Sequence, residues 1–366
     1  MPPVTVLVLA PQLSAEAGPL ERRLDDARAA LAEHHRHAFL AAGADEVVVR
    51  RERPDDTPFG ARLRRLVEEL EPAGLVVLGA GSVPLATGVD LRAFVAAAAA
   101  DEPGALANHG YSADIIAIAR AAAALRHLPP DLASDNALPR WLAEVAGVPV
   151  RDLRAMRRLA MDVDSPLDLI LLEGWRGAPC LPLPDDAEAR PVRDRLAALR
   201  RLATDPGAEL LVTGRTSAAD LRWLERSTRS RTRALLEERG LRTAGIGATV
   251  GRPNRRPPRS LLGELLDRDG PGSLGRHVAA LGDGALLDSR VLMAHRFGGD
   301  ERGWPSAEDR FASDLLLPDR VRDPWLADLT AGAAEASVPV LLGGHGLVGP
   351  GLRLALGARG RDRGRG

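Results

Sequence analysis

Residues 4–100 alternate between short apolar runs and longer stretches of helical period, and this alternation limits what the chain can become. Val4 to Leu9 is unbroken and apolar, as a strand buried on both faces must be. Leu20 to Ala42 has the period of a helix, which Gly43 closes. The pair then repeats: Glu46 to Val49, Arg62 to Leu70, Gly74 to Leu78, Asp90 to Ala100. Strands separated by crossover helices pack as a parallel sheet. The expected fold class is therefore α/β, a doubly wound, mostly parallel sheet. Two further short apolar segments follow, Ala105 to Asn108 and Ile115 to Ile118.

The stretch with the most chemistry is Arg157 to Leu172, RRLAMDVDSPLDLILL. Asp162 and Asp164 alternate with Met161 and Val163, so in a strand both carboxylates would share a face. Ser165-Pro166 then reads as an N-cap and first helical residue, with Asp168 as negative charge in the first turn. Two carboxylates at a strand end suit a hard cation such as Mg²⁺, which is held by one or two carboxylates plus phosphate oxygens. The same residues also suit a solvated strand end and a capped helix. Composition and spacing leave both readings open.

The run MDVDSPLDL resembles the D-[IV]-D-[ST]-P-x-D-L element of nucleotidyltransferase-like domains. It is most similar to the branch containing molybdenum-cofactor nucleotidyltransferases and 2-phospholactate guanylyltransferase. The resemblance spans about residues 1–175 and implies a sheet of the nucleotide-diphospho-sugar-transferase type. It further implies Mg²⁺-dependent transfer of a nucleoside monophosphate from GTP or CTP to a small phosphorylated or carboxylate acceptor, as in cofactor biosynthesis. Asp162 and Asp164 would hold the metal. The loop Gly79-Ala80-Gly81-Ser82-Val83-Pro84-Leu85 keeps the tail of the family's D-x-P-L element, but Ser82 stands where the family has Asp. Gly79 and Gly81 would let backbone approach the nucleotide. The family's first loop is rich in Gly and basic residues. Here Arg22 and Arg23, at the start of the following helix, are the cations left to meet phosphate. Asn108 and Asp114 would line the acceptor side. The alternative is a catalytically degenerate module that binds a nucleotide or metabolite, which Ser82 and the altered first loop favour.

The chain has no lysine, which excludes a Walker-A P-loop and Schiff-base chemistry. Its single cysteine, Cys180, excludes an intramolecular disulfide. A net charge of −1 gives no electrostatic case for nucleic acid. No apolar run is long enough for a membrane span, and the N-terminus lacks a basic n-region, so the cytoplasm is the expected compartment. His34, His35 and His37 read as a solvated helix face.

The expected organisation is a first domain over residues 1–174 and a Pro-rich linker over 175–190. A second α/β or helix-rich domain follows over 191–353, then a disordered tail over 354–366. In the second half, strands are expected at Glu209 to Thr213, Ala285 to Leu287 and Val338 to Leu342. Val192 to Leu202 reads as a helix, Arg222 to Arg242 as a helical stretch of mixed charge, and Arg252 to Arg259 as a loop. Gly344 to Gly349 matches GxGxxG after a strand, but with no room for the next strand it reads as a tight loop.

Overall fold

In the computed structural model the opening apolar run forms β1 (Val4–Pro11). Then follow α1 (Pro19–Ala41), β2 (Glu46–Glu52), α2 (Phe59–Leu70), β3 (Gly74–Gly79) and α3 (Gly88–Ala98). After these come β4 (Ala105–Ala107), β5 (Ile115–Ala119), α4 (Ala121–Leu125), α5 (Leu138–Glu144) and β6 (Val150–Asp152). The structure describes residues 2–52, 55, 57–132, 134–238 and 257–357. The loop expected at 252–259 is described only from 257. The disordered tail expected over 354–366 is helical and buried at Leu354, Ala355 and Leu356, and from 358 it lies outside the described residues.

The chain divides into two compact units. The first comprises Met1–Glu16 and Asp25–Val163, together with Arg242–Pro253, which lies outside the described residues. The second comprises Ala17–Leu24, Asp164–Leu241 and Asn254–Gly366.

The first unit is built on a mixed sheet ordered β2-β1-β3-β5-β4-β6. β1 runs parallel to β2 and β3, and β4 parallel to β6, while β5 opposes both its neighbours. Both faces are covered. Val6, Val8, Val76 and Ile115 pack with Phe39 of α1 and Phe94 of α3. Leu7, Leu75, Val77 and Ile118 pack with Leu63 and Leu66 of α2 and Trp141 of α5. Burial on both faces is why these strands are unbroken apolar runs rather than alternating ones. Thr87 and Asp90 cap α3: Asp90 Oδ2 accepts from Thr87 N at 2.8 Å, and Thr87 Oγ1 accepts from Asp90 N at 3.3 Å.

The second unit contains α6 (Pro166–Leu172), α7 (Asp186–Ala203), β7 (Glu209–Gly214), α8 (Ala218–Ser227) and β8 (Arg231–Leu236). It continues with α9 (Leu261–Asp269), α10 (Leu274–Ala279), β9 (Gly284–Asp288), α11 (Ser289–Phe297) and α12 (Ala307–Asp314). It closes with α13 (Pro324–Ala334), β10 (Val340–Gly343), α14 (His345–Val348) and α15 (Gly351–Leu356). Its four strands are all parallel, in the order β10-β9-β7-β8. All seven residues of α6 are buried, as expected of a helix apolar nearly all round.

Three expectations change here. Gly344 to Gly349 is not a tight loop, because residues 345–348 form the helical turn α14. Arg222 to Arg242 is not one helical stretch: α8 stops at Ser227, and residues 231–236 form β8, paired with β7. Apart from Thr232 the residues of RTRALL are good helix formers, so pairing overrides local propensity. The expected strand through Asp162 is a single antiparallel bridge, Ser82 to Asp162. β3 has already ended at Gly79, so no ladder is there to extend it.

Among the described residues no helix is long and apolar enough to cross a membrane.

Candidate functional site

The carboxyl ends of β1 and β3 lie side by side, with Leu9 opposite Gly79. Strand order turns back at this pair, β2 lying beyond β1 and β5 beyond β3. Open α/β sheets bind ligands at such points, outside the carboxyl ends of the strands.

The loop that leaves β3 there is tightly held. Ala80 N donates to Leu9 O at 2.9 Å, and Val163 N donates to Gly81 O at 2.8 Å. Arg28 Nε donates to Val163 O at 2.9 Å. A Cβ on Gly81 would sit 2.7 Å from Val163 O, so only glycine allows the two segments to approach this closely. Val83 is fully buried with φ at 45°, an uncommon state for a β-branched residue and one that persists only when its surroundings impose it. Its N–H points to Asp162 Oδ1 at a long 3.4 Å.

His35 completes the clamp. Its ring is buried and Nε2 lies 2.8 Å from Ser82 O. Burial pushes its pKa down to about 4, against the carbonyl contact, so the ring is neutral at neutral pH and Nε2 carries the proton it donates to Ser82. This corrects the expectation of a solvated histidine face. His34 and His37 are exposed, but His35 is not. The signal was present: His35 falls four residues from both Leu31 and Phe39, on the buried stripe of α1.

Of the other candidate residues, Gly79, Gly81, Ser82 and Asp162 come together at this loop, all within the first unit. Asp164 belongs to the second unit, where it lies close enough to Asp168 to raise that residue's pKa. Arg22 and Arg23 also belong to the second unit. Arg22 is exposed, and Arg23 Nη1 donates to Asp185 at 2.8 Å and to Leu183 O at 3.1 Å. Asn108 and Asp114 bind each other, Asn108 Nδ2 donating to Asp114 Oδ2 at 2.8 Å and Asp114 N donating to Asn108 Oδ1 at 3.0 Å. Asn108 Nδ2 also reaches Leu159 O at 2.8 Å, so this buried amide ties the β4–β5 turn to the segment before Asp162.

A cavity of about 240 Å³ opens at the carboxyl ends of β1 and β2. Pro11, Phe59 and Leu66 supply apolar wall, and Glu52, Thr57 and Arg62 supply polar groups. Among the described residues no group of three or more His, Cys, Asp or Glu side chains is placed to hold a metal ion.

No family model matches this chain, and no curated protein matches it.

Proposed function

We propose that the first unit is a nucleotidyltransferase-like domain with a sheet of the nucleotide-diphospho-sugar-transferase type, acting in the cytoplasm. It binds a nucleoside triphosphate, GTP or CTP, with Mg²⁺. The reaction transfers the nucleoside monophosphate to a small phosphorylated or carboxylate acceptor, as in cofactor biosynthesis. The observation that carries this reading is the Ser82–Asp162 bridge at the turning point of the sheet. It brings the loop after β3 and Asp162 to one place within the first unit, in a sheet with a single reversed strand.

The chain's own part is positioning and charge. Asp162 fits the minimum protein share of a Mg²⁺ site, one carboxylate beside triphosphate oxygens. Bound there, the ion would neutralise charge on the phosphates during transfer. The reading does not need Asp164. Gly79 would let the backbone approach the phosphates, Gly81 makes room for Val163, and His35 and Arg28 hold the two segments in place. The 240 Å³ cavity beside β1 suits the base. The acceptor side would lie towards Asn108 and Asp114.

A second reading, a nucleotide-binding module without turnover, is favoured by one feature. Ser82, the residue paired with Asp162, brings no charge to a cation. One experiment addresses both. Mg²⁺ with GTP or CTP is expected to raise the melting temperature. At a hundred times its dissociation constant a ligand that binds only the folded state contributes about 2.7 kcal/mol. Asp162→Asn should remove the metal-dependent part of the rise. Pyrophosphate release with an acceptor marks the enzyme, and a rise without release marks the module. No rise with either nucleotide at millimolar concentration would overturn both readings.

A further inference from the structure

The second unit holds a polar cluster of its own at the carboxyl ends of β7 and β9. Strand order turns back there, with β8 on one side of β7 and β9 and β10 on the other. From Gly214, the last residue of β7, the chain runs through Arg215, Thr216 and Ser217 into α8. Gly214 has φ at 118°, and a Cβ on it would lie 2.2 Å from that of Asp288, so the turn requires glycine. Arg215 donates from Nε and Nη2 to Asp288, at 2.6 and 3.0 Å. Arg290, in the first turn of α11, grips both oxygens of Asp314, Nη2 to Oδ2 at 2.7 Å. Its Nη1 also donates to Ser289 Oγ at 3.0 Å, and Ser289 Oγ donates to Gly343 O at 3.1 Å. Both arginines are 8% exposed. Burial opposes charge on Arg290, but Asp314, Asp288 and Asp168 together hold its pKa above the usual value, which places Asp288 within electrostatic reach of both arginines.

The two ion pairs cancel, and hydrogen-bond donors are left over. Among the described residues, Arg215 Nη1 and Arg290 Nε meet no acceptor. The Thr216 hydroxyl is fully buried and has no hydrogen-bond partner, although buried hydroxyls are nearly always paired. The first N–H groups of α8 and α11, helices of ten and nine residues, have no acceptor within their helices. Guanidinium, hydroxyl and helix amides gathered at a turning point of a parallel sheet match an anion with several oxygens. Two carboxylates count against an anion. Asp220 lies in the first turn of α8, where its carboxylate accepts from the capping Ser217 hydroxyl, and Asp168 lies within electrostatic reach of Arg290, although burial holds the Asp168 pKa up at about 7.

We propose that this place is a phosphate site of the second unit, taking the phosphoryl group of a small phosphorylated metabolite. It is separate from the nucleotide site proposed for the first unit. The test is calorimetric titration of the full chain with inorganic phosphate and with AMP, in EDTA, which silences the metal-dependent site. AMP binding more tightly than inorganic phosphate marks a phosphorylated metabolite as the ligand. Equal binding of the two leaves the phosphoryl group as the recognised part, and both outcomes support the site.

Thr216→Val keeps the shape of the side chain and removes only the hydroxyl. The variant should be at least as stable as the native chain without ligand, yet bind phosphate about tenfold more weakly, the loss expected for a hydrogen bond to a charged group. Arg215→Lys should weaken binding similarly, because a lysine cannot hold Asp288 bidentately and still offer a third donor. Failure of both probes to bind at millimolar concentration overturns the proposal. So does binding that is unchanged in both variants, which would put the phosphate elsewhere.

Discussion

Lowering the pH from about 7 to about 4 is expected to cost the first unit about 3 kcal/mol through His35 alone. The ring is buried and neutral, and its pKa is pushed down from 6.5 to about 4. Between those values the unfolded chain takes up a proton that the folded chain does not. Stability is therefore full above pH 6.5 and is lost as the pH falls through the folded pKa. His35→Gln should remove this acid limb. Its amide can still donate to Ser82 O, but it does not titrate. His35→Leu should behave differently, leaving the Ser82 carbonyl without its donor at every pH and costing about 1–3 kcal/mol. Urea unfolding of the three proteins across this range distinguishes the cases. Equal acid sensitivity in the native chain and His35→Gln would show that His35 does not titrate as a buried neutral ring. The same clamp holds the loop of the candidate nucleotide site. His35→Leu should therefore also shrink the melting shift produced by Mg²⁺ and nucleotide.

Much of the first unit is legible in the chain because its physics is local. β1 and β3 are buried on both faces and so read as unbroken apolar runs. The Ser165-Pro166 start of α6 reads correctly because a cap is a contact within one turn: Asp168 Oδ2 accepts from Ser165 N at 2.8 Å. His35 could have been read from its spacing to Leu31 and Phe39. β8 could not, because Arg, Ala and Leu are at home in a helix and only pairing with β7 makes them a strand. The alternation of Asp162 and Asp164 misleads for a related reason. A strand needs a ladder, and at Asp162 the chain finds one bridge only. The polar cluster of the second unit was invisible for another reason. Arg215 meets Asp288 across 73 residues, and Arg290 meets Asp314 across 24. Such pairs arise where elements distant in sequence converge, and nothing in either neighbourhood announces the other.

Replacing Asp168 by Asn is expected to make the protein more stable above pH 7, by up to about 4 kcal/mol. Asp168 is buried in the first turn of α6, and its pKa is raised from 3.8 to about 7. Burial is the main cause and the neighbouring Asp164 charge the next. The N–H groups of Ser165 and Asp164, which donate to its carboxylate at 2.8 and 3.0 Å, pull the other way without winning. Because the folded pKa lies above the unfolded one, stability is fully present below about pH 4 and is lost as the pH rises through 7. Here the folded chain holds a proton that the unfolded chain has released, the reverse of His35, so each variant must be compared with the native chain at the same pH. Asn cannot ionise, and its Oδ1 can accept the same two N–H groups, so the cap survives. The stability difference between Asp168→Asn and the native chain should thus be near zero at about pH 4 and largest at about pH 8. Asp164→Asn should give part of the same gain, since it removes a neighbouring negative charge while leaving Asp168 to titrate. Denaturant unfolding of the three proteins at the two pH values settles the matter. A constant gap between Asp168→Asn and the native chain would mean that Asp168 is ionised throughout. In that case the cap and the Arg290 guanidinium outweigh burial at this site.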